Sequence, residues 1–365
     1  MLDAPIPPHI LNQILAQADA GDTKARQQAA MLLSCAPFVP ADLPAAKRYL
    51  AGQPMPPAIT LKVAYGTSDW DDDRLCQELL ASQNPEMTLL AALVLDCRGQ
   101  QDEARTLLKS LNPSQLPLLG YLLSHVEDDA ETWLAKSPAQ HPLVQRQREL
   151  LKTALPQQAE TTSLPEGMLL LPGFISSMAC AYLRWTAAPW LAPAQTLDPT
   201  TGQPLKHLVR TNGSMSFSSG LACPFVIWLE RRIATAVDLP ADRQESTGVL
   251  HYQPGQAFKP HFDAFDTSQA GAERLLADGG QRAKTVLIYL NEDFTGGETD
   301  FPRLDFRVRG RTGDLLAFDN VDADGQREAL SLHQGLSTEA GTKWLLSKWI
   351  RQQATDHGRR LHGSV

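Results

Sequence analysis

A change of texture near residue 160 constrains the fold of this 365-residue chain more than any other feature. From His9 to about Leu155 the sequence is rich in Ala, Leu and Gln, and its apolar residues recur at helical spacing, as in "EMTLLAALVLDCRGQ" and "DEARTLLKSL". Beyond that point short apolar runs alternate with Gly- and Pro-rich turns. "GMLLLPGF", "STGVLHYQPG", "AKTVLIYLNEDFTGGETDF", "GDLLAF" and "KWLLSKWI" read as strands, with one helix, "CPFVIWLERRIATAV", among them. Two periodicities in one chain predict two domains, and the length suffices for a core in each. The expected organisation is an α+β multidomain protein: a helical domain over 1–158, a linker over 159–166, a β-domain over 167–352 and a C-terminal tail over 353–365. The linker lies within "LPQQAETTSLPEG", which is polar and flanked by proline. Many short strands with Gly-rich turns predict a sandwich or jelly roll.

In the helical half, Asp22 is placed to cap a helix, and "NPSQLP" carries a turn at Pro113 and Pro117. Paired helices of this size look like tetratricopeptide-type repeats, although no fixed period emerges. Stacked pairs of that kind bind extended peptides or brace a neighbouring domain. The acidic run Asp71 to Asp73 reads as a solvated helix start, favoured by the helix dipole.

A net charge of −8 gives no electrostatic footprint for nucleic acid or an anionic membrane surface. No run of 18 apolar residues is present, and the N-terminal stretch has neither a basic nor an apolar signal region, so a cytoplasmic protein is expected. Five scattered cysteines, odd in number and without a C-x-x-C pair, predict reduced and mostly buried thiols.

The stretch "HYQPGQAFKPHFDAFD" carries two histidines and two acids in a strand-and-turn context. Strand alternation puts His261 and Asp263 on one face, able to aim an imidazole and a carboxylate at one point. A further histidine would complete a 2-His-1-carboxylate triad, which leaves coordination positions of an Fe(II) ion open. His333 is the candidate, seventy residues on (333 − 263), as a jelly roll requires if its first and last core strands are neighbours. Downstream, alternation puts Lys343, Leu345, Ser347 and Trp349 on one face of a strand, opposite Trp344, Leu346 and Lys348. A lysine on the inner face needs an anion, because an unpaired buried ammonium is costly. A dicarboxylate that chelates the metal at one end would supply that anion at the other.

With these residues in view, "YQPGQAFKPHFD", "YLNEDFTGGETDFP", "GDLLAFDN" and "LHQGLSTEAGTKW" resemble the 2-oxoglutarate- and Fe(II)-dependent dioxygenases of the prolyl 4-hydroxylase-like branch, over about Leu164 to Gln352. The resemblance implies a double-stranded β-helix with His261, Asp263 and His333 on iron. It implies Fe(II), 2-oxoglutarate and O2 as cofactor and co-substrates, with room for ascorbate as a reductant. Lys343, ten residues after His333 (343 − 333), falls where the family holds the 5-carboxylate of 2-oxoglutarate. Tyr252, Thr299 and Trp349 fall at further co-substrate positions, and Arg282 and Arg210 at positions lining the substrate groove. Phe258 departs from the family, since many prolyl hydroxylases carry a tyrosine three residues before the first iron histidine.

The implied reaction is hydroxylation of a C–H bond, most simply of a prolyl or other residue in a peptide or protein, with release of succinate and carbon dioxide. Two alternatives stand beside it: an oxygenase for a free amino acid or small metabolite, and a non-catalytic helical adaptor. The segment between Asp263 and the next strand reads as an active-site lid. "NVDADGQREALS" imitates a calcium loop, but Ser331 stands where the bidentate glutamate belongs, so a β-turn is predicted.

Overall fold

The computed structural model describes residues 7–35, 42–52, 71–153, 163–194, 196–197, 204–205, 211–218, 222–269 and 271–362. Contacts divide the chain into two compact units, one of Met1–Val94, Phe217–Ser246 and Gln353–Val365, the other of Leu95–Ser216 and Thr247–Gln352.

The first unit is helical. Helices Pro8–Asp19, Thr23–Cys35 and Leu43–Leu50 pack through small residues, with Ala18, Ala29, Ala30 and Ala46 fully buried, so their backbones approach closely. Asp22 caps the second helix as expected, its Oδ1 accepting from Ala25 N at 2.7 Å. Asp71 caps helix Asp72–Ala81 through Arg74 N. Its neighbour Asp72 does more than sit in solvent, because its Oδ1 accepts from Trp228 Nε1 at 2.8 Å. That bond ties helix Pro224–Ala236 into this unit. The expected C-terminal tail carries a helix, Asp356–His362, whose His362 Nε2 reaches the fully buried Glu230 at 2.7 Å. The units therefore do not follow the boundaries expected from texture. The first unit's sequence-distant helices are joined in part by polar contacts such as Asp72–Trp228 and Glu230–His362, for which periodicity carries no signal.

The second unit carries helices Gln101–Ser110, Leu119–Leu123, Ala130–Leu134, Pro142–Leu150 and Ser177–Ala187. The last is a helix the sequence reading lacks. Met178 through Arg184 are all buried, so it shows no amphipathic stripe to read; its start is marked by Ser176, whose Oγ accepts from Ala179 N. The strands in chain order begin with β1 (Met168–Leu171), β2 (Ala192–Pro193), β3 (Thr196–Leu197), β4 (Pro204–Leu205) and β5 (Gly213–Phe217). Next come β6 (Thr247–Tyr252), β7 (Phe258–His261), β8 (Arg282–Tyr289), β9 (Thr295–Gly296) and β10 (Thr299–Phe301). The series closes with β11 (Phe306–Val308), β12 (Leu315–Asp319), β13 (His333–Gly335), β14 (Thr338–Ala340) and β15 (Lys343–Arg351).

Seven strands form one sheet in the order β1-β12-β8-β15-β6-β5-β2, and four form another in the order β11-β10-β13-β7. Leu250, Tyr252, Leu287, Tyr289, Leu316, Phe318 and Leu345 of the first pack with Phe301 and Val308 of the second in one buried cluster. This is the double-stranded β-helix, preceded in the chain by the helical region. Two registers position the site. His333 pairs directly with His261 across β13 and β7, and Lys343 pairs with Tyr252 across β15 and β6.

Candidate functional site

His261, Asp263 and His333 each offer a ligand atom within 4.8 Å of the others, and among the described residues no other His, Cys, Asp or Glu group does so. Antiparallel pairing supplies the two histidines. Asp263 arrives differently from the expectation: β7 ends at His261, so the carboxylate comes from the bend just after the strand rather than from strand alternation. The turn is held by Thr285, whose Oγ1 donates to Asp263 Oδ2 at 2.6 Å, and Asn320 Nδ2 donates in turn to Thr285 Oγ1 at 2.8 Å. All three residues are buried.

Each imidazole faces a backbone carbonyl through Nδ1: His261 at 2.8 Å from Lys259 O and His333 at 2.9 Å from Ser331 O. With Nδ1 as the donor in both, Nε2 is the basic nitrogen, and each Nε2 stands 3.6 Å from one Asp263 oxygen. Burial, joined by the neighbouring His261, pushes the His333 pKa down to about 4. Burial would raise Asp263, but the imidazoles of His333 and His261, with Arg282 beyond, outweigh it and hold the carboxyl well below its ordinary range. Two neutral nitrogens and one anionic oxygen are the donor set for a facial triad on Fe(II), so the residues fit the metal.

The cavity runs inward from this cluster. The His261 side chain is 20% exposed, whereas Lys343 is 2% exposed. Leu250, Leu287, Leu345 and Ser347 wall the space between, with Tyr252 and Thr299 also lining it. The Lys343 Nζ donates to Gly297 O at 2.7 Å and lies 5.4 Å and 5.7 Å from the Tyr252 and Tyr289 ring centres. Gly297 takes φ +67°, a region that favours glycine, and so turns its carbonyl toward the ammonium. Among the described residues Lys343 makes no salt bridge with a carboxylate; burial lowers its pKa to about 8, against a raising influence of Glu298. A buried cation answered only by a carbonyl and two ring faces is matched to an incoming anion.

The remaining sequence-predicted residues that the structure describes gather around the same cavity. Thr299 Oγ1 lies 2.9 Å from Tyr289 Oη, so Tyr289 joins the co-substrate end without having been singled out in the sequence. The Trp349 side chain lines the cavity, and its Nε1 has no partner among the described residues. Arg282 stacks over the Trp349 ring at 3.5 Å and over Phe265 at 4.7 Å, at the triad end. Phe258 stacks on His261 at 3.5 Å, shielding the imidazole where a tyrosine would add a hydroxyl. Arg210 lies outside the described residues.

The segment expected as a lid contains helix Ala272–Leu276, held by Arg351 Nη2 donating to Leu275 O and by Gln281 bonded to Phe265 at both backbone positions. The calcium-loop imitation is a turn: Val321 bridges to Arg327, and Asp322 Oδ1 accepts from Asp324 N and Gln326 N. Thr285 and Asn320 escaped the sequence reading. Asn320 stood in a quoted motif, and Thr285 alternates with Leu287 and Tyr289 on the inner face of β8, which was the available signal.

A double-stranded β-helix with this donor set at one end of its cavity and an anion-seeking lysine at the other defines a metal-dependent oxygenase. Residues 247–351 match the 2OG-Fe(II) oxygenase superfamily. Prolyl 4-hydroxylase 1 of Arabidopsis thaliana is 35% identical over 211 residues, which span 54% of this chain and 72% of that protein. Probable prolyl 4-hydroxylase 3 of the same plant is 31% identical over 213 residues, covering 53% and 72%. The 2OG complex of the viral collagen prolyl hydroxylase from Paramecium Bursaria Chlorella virus-1 aligns with a TM-score of 0.39 at 23% identity, over 51% of this chain and 96% of that one. This chain belongs to the 2OG-Fe(II) oxygenase superfamily, on its prolyl 4-hydroxylase-like branch. It is an oxidoreductase, and its cofactor and co-substrates are Fe(II), 2-oxoglutarate and O2.

Proposed function

We propose that this chain hydroxylates a prolyl or other residue of a peptide or protein, converting 2-oxoglutarate and O2 to succinate and carbon dioxide as it does so. The observation that carries the reading is Lys343, a buried ammonium without a carboxylate, at the closed end of a cavity whose open end holds the triad. His261 and His333 would hold Fe(II) through Nε2 and Asp263 through its carboxylate. Fe(II), when bound, supplies the redox chemistry that joins oxygen to a C–H bond. The chain's own residues orient and enclose. Lys343 takes the 5-carboxylate of 2-oxoglutarate, with the Tyr252 and Thr299 hydroxyls placed to donate beside it. Leu250, Leu287, Leu345 and Phe258 keep water from the reacting end. Arg282, cushioned on Trp349, faces the side from which a substrate chain approaches. The peptide reading draws on the relatives, two of which are prolyl 4-hydroxylases by name.

The test is incubation of the full-length, iron-loaded protein with proline-containing peptides, with and without 2-oxoglutarate, read by mass spectrometry. The expected result is a 2-oxoglutarate-dependent gain of one oxygen atom on a peptide residue. Oxygen incorporation into a free amino acid or small metabolite, with none into peptides, would overturn it.

A further inference from the structure

A second cavity, of about 560 Å³, lies on the other face of the large sheet. It is lined by Trp344 and His251, the cross-strand pair one residue along from Lys343 and Tyr252, so alternation turns them away from the triad. Helices Pro142–Leu150 and Ser177–Ala187 contribute Leu143, Arg146 and Arg184 to its lining. The size falls within the roughly 300–1,000 Å³ range of small-molecule sites.

Its two arginines are answered unequally. Arg146 is answered twice, its Nε donating to Asp293 Oδ2 at 2.8 Å and its Nη1 to Glu149 at 3.1 Å. Asp293 is further bonded by Asn291 Nδ2. Among the described residues Arg184, only 5% exposed, has no carboxylate partner: its Nη2 stands 3.2 Å from His125 Nε2 and its buried Nε is unbonded. His125 is a neutral neighbour, since burial and then Arg184 itself push its pKa down to about 3, and its Nδ1 is turned to Tyr121 O at 2.8 Å. The imidazoles that line the cavity, His141 and His251, are also lowered by burial. Arg184 is therefore a buried positive charge with no carboxylate beside it among the described residues, and it lines a cavity whose other walls include Leu143, Pro189, Leu191 and Trp344 beside the Arg146–Asp293 pair.

We propose that this cavity is a binding site for a small carboxylic acid with an apolar body, aromatic or medium-chain, whose carboxylate pairs with Arg184 and whose body lies against Leu143, Leu191 and Trp344. A guanidinium suits a carboxylate because its planar fork offers parallel donors. The apolar walls reject a second charge at the far end, since burying it unpaired is costly. The site is separate from the co-substrate cavity, so the two should bind independently.

Calorimetric titration of the full-length protein with octanoate, octanol and octylamine tests this. Octanoate should bind best, equally in the wild type and in Lys343→Ala. Arg184→Met should weaken octanoate by about ten- to a hundredfold and octanol hardly at all, as loss of a charge-assisted bond requires. Leu191→Trp, which fills the apolar part with Arg184 intact, should abolish binding of both. Equal affinity for octanoate and octanol in the wild type, undiminished octanoate binding in Arg184→Met, or loss of binding in Lys343→Ala would each overturn the proposal. If Arg184→Met does not fold, the octanoate-to-octanol ratio in the wild type and the Leu191→Trp result decide it.

Discussion

Lys343 and Arg184 are both buried cations with no carboxylate partner among the described residues, serving cavities on opposite faces of one sheet. Lys343 is a point charge on a strand, answered by the Gly297 carbonyl. Arg184 is a planar fork on a helix, answered by a neutral imidazole. Both select an anion. What differs is the other end of each cavity: a metal-competent triad beyond Lys343, apolar walls around Arg184. The cation fixes the charge of the ligand, and its surroundings decide whether the ligand reacts or only binds.

The largest expected effect breaks the comparison at the triad. Asp263→Ala removes the anionic donor, so Fe(II) binding and 2-oxoglutarate turnover should both be lost, while octanoate still titrates at the Arg184 cavity. His261→Ala and His333→Ala should act alike, and Fe(II) affinity undiminished in any of the three would remove that residue from the site. Next in size is Lys343→Ala. Loss of a charge-assisted contact of roughly 2–4 kcal/mol should raise the KM for 2-oxoglutarate about thirty- to a thousandfold with iron still bound. Because the Lys343 pKa stands at about 8, the wild-type KM should climb as pH rises past that value, and the alanine variant should not follow. A KM unchanged by the substitution would leave the lysine as packing alone.

Thr285→Val comes third. It takes the donor from Asp263 and the acceptor from Asn320 while keeping the shape of the side chain. Second-layer supports of this kind are worth about ten- to a hundredfold in metal affinity. Fe(II) should weaken by that factor, with the 2-oxoglutarate KM at saturating iron unaltered; equal Fe(II) affinity would mean the turn after β7 holds Asp263 without help.

The two cations also divide what the sequence made legible. Lys343 was readable because a strand has period two, so one residue on the inner face places its neighbours, and the count from His333 did the rest. The pairing of His261 with His333 followed from the closure of a jelly roll. Arg184 was not readable. It sits in "SMACAYLRWTA", a helix buried on every side, where no periodicity distinguishes an inward arginine from a snorkelling one. Asp263 was found for a reason only half right, since the spacing that suggested strand alternation is met by a bend beyond the strand end. The division into units was hidden for a third reason. Asp72 and Trp228 are 156 residues apart, and nothing local to either announces the bond between them. Short-range order is written in periodicity, whereas the satisfaction of buried polar groups is settled by whatever the fold brings close.

The smallest expected effect is in stability without ligands, and it sharpens the comparison most. Replacing a buried ion pair by apolar side chains of similar volume is often neutral or stabilising by about 1–4 kcal/mol, and a buried charge without a carboxylate has less attraction to lose. Lys343→Met and Arg184→Met should therefore each leave the ligand-free protein at least as stable as the wild type near neutral pH. Their pH dependence should differ. Burial lowers Lys343 from 10.5 to about 8, so between those values the unfolded chain binds more protons than the folded one, and stability from this group rises with pH across that window. Below about pH 8 the lysine is protonated in both states and the full burial cost is present. Lys343→Met should remove the rise, whereas Arg184→Met should retain it, because a guanidinium stays protonated throughout. Urea midpoints measured across the window for the three proteins check this. If Lys343→Met shows the same slope as the wild type, the folded protein does not hold Lys343 as a buried cation awaiting an anion.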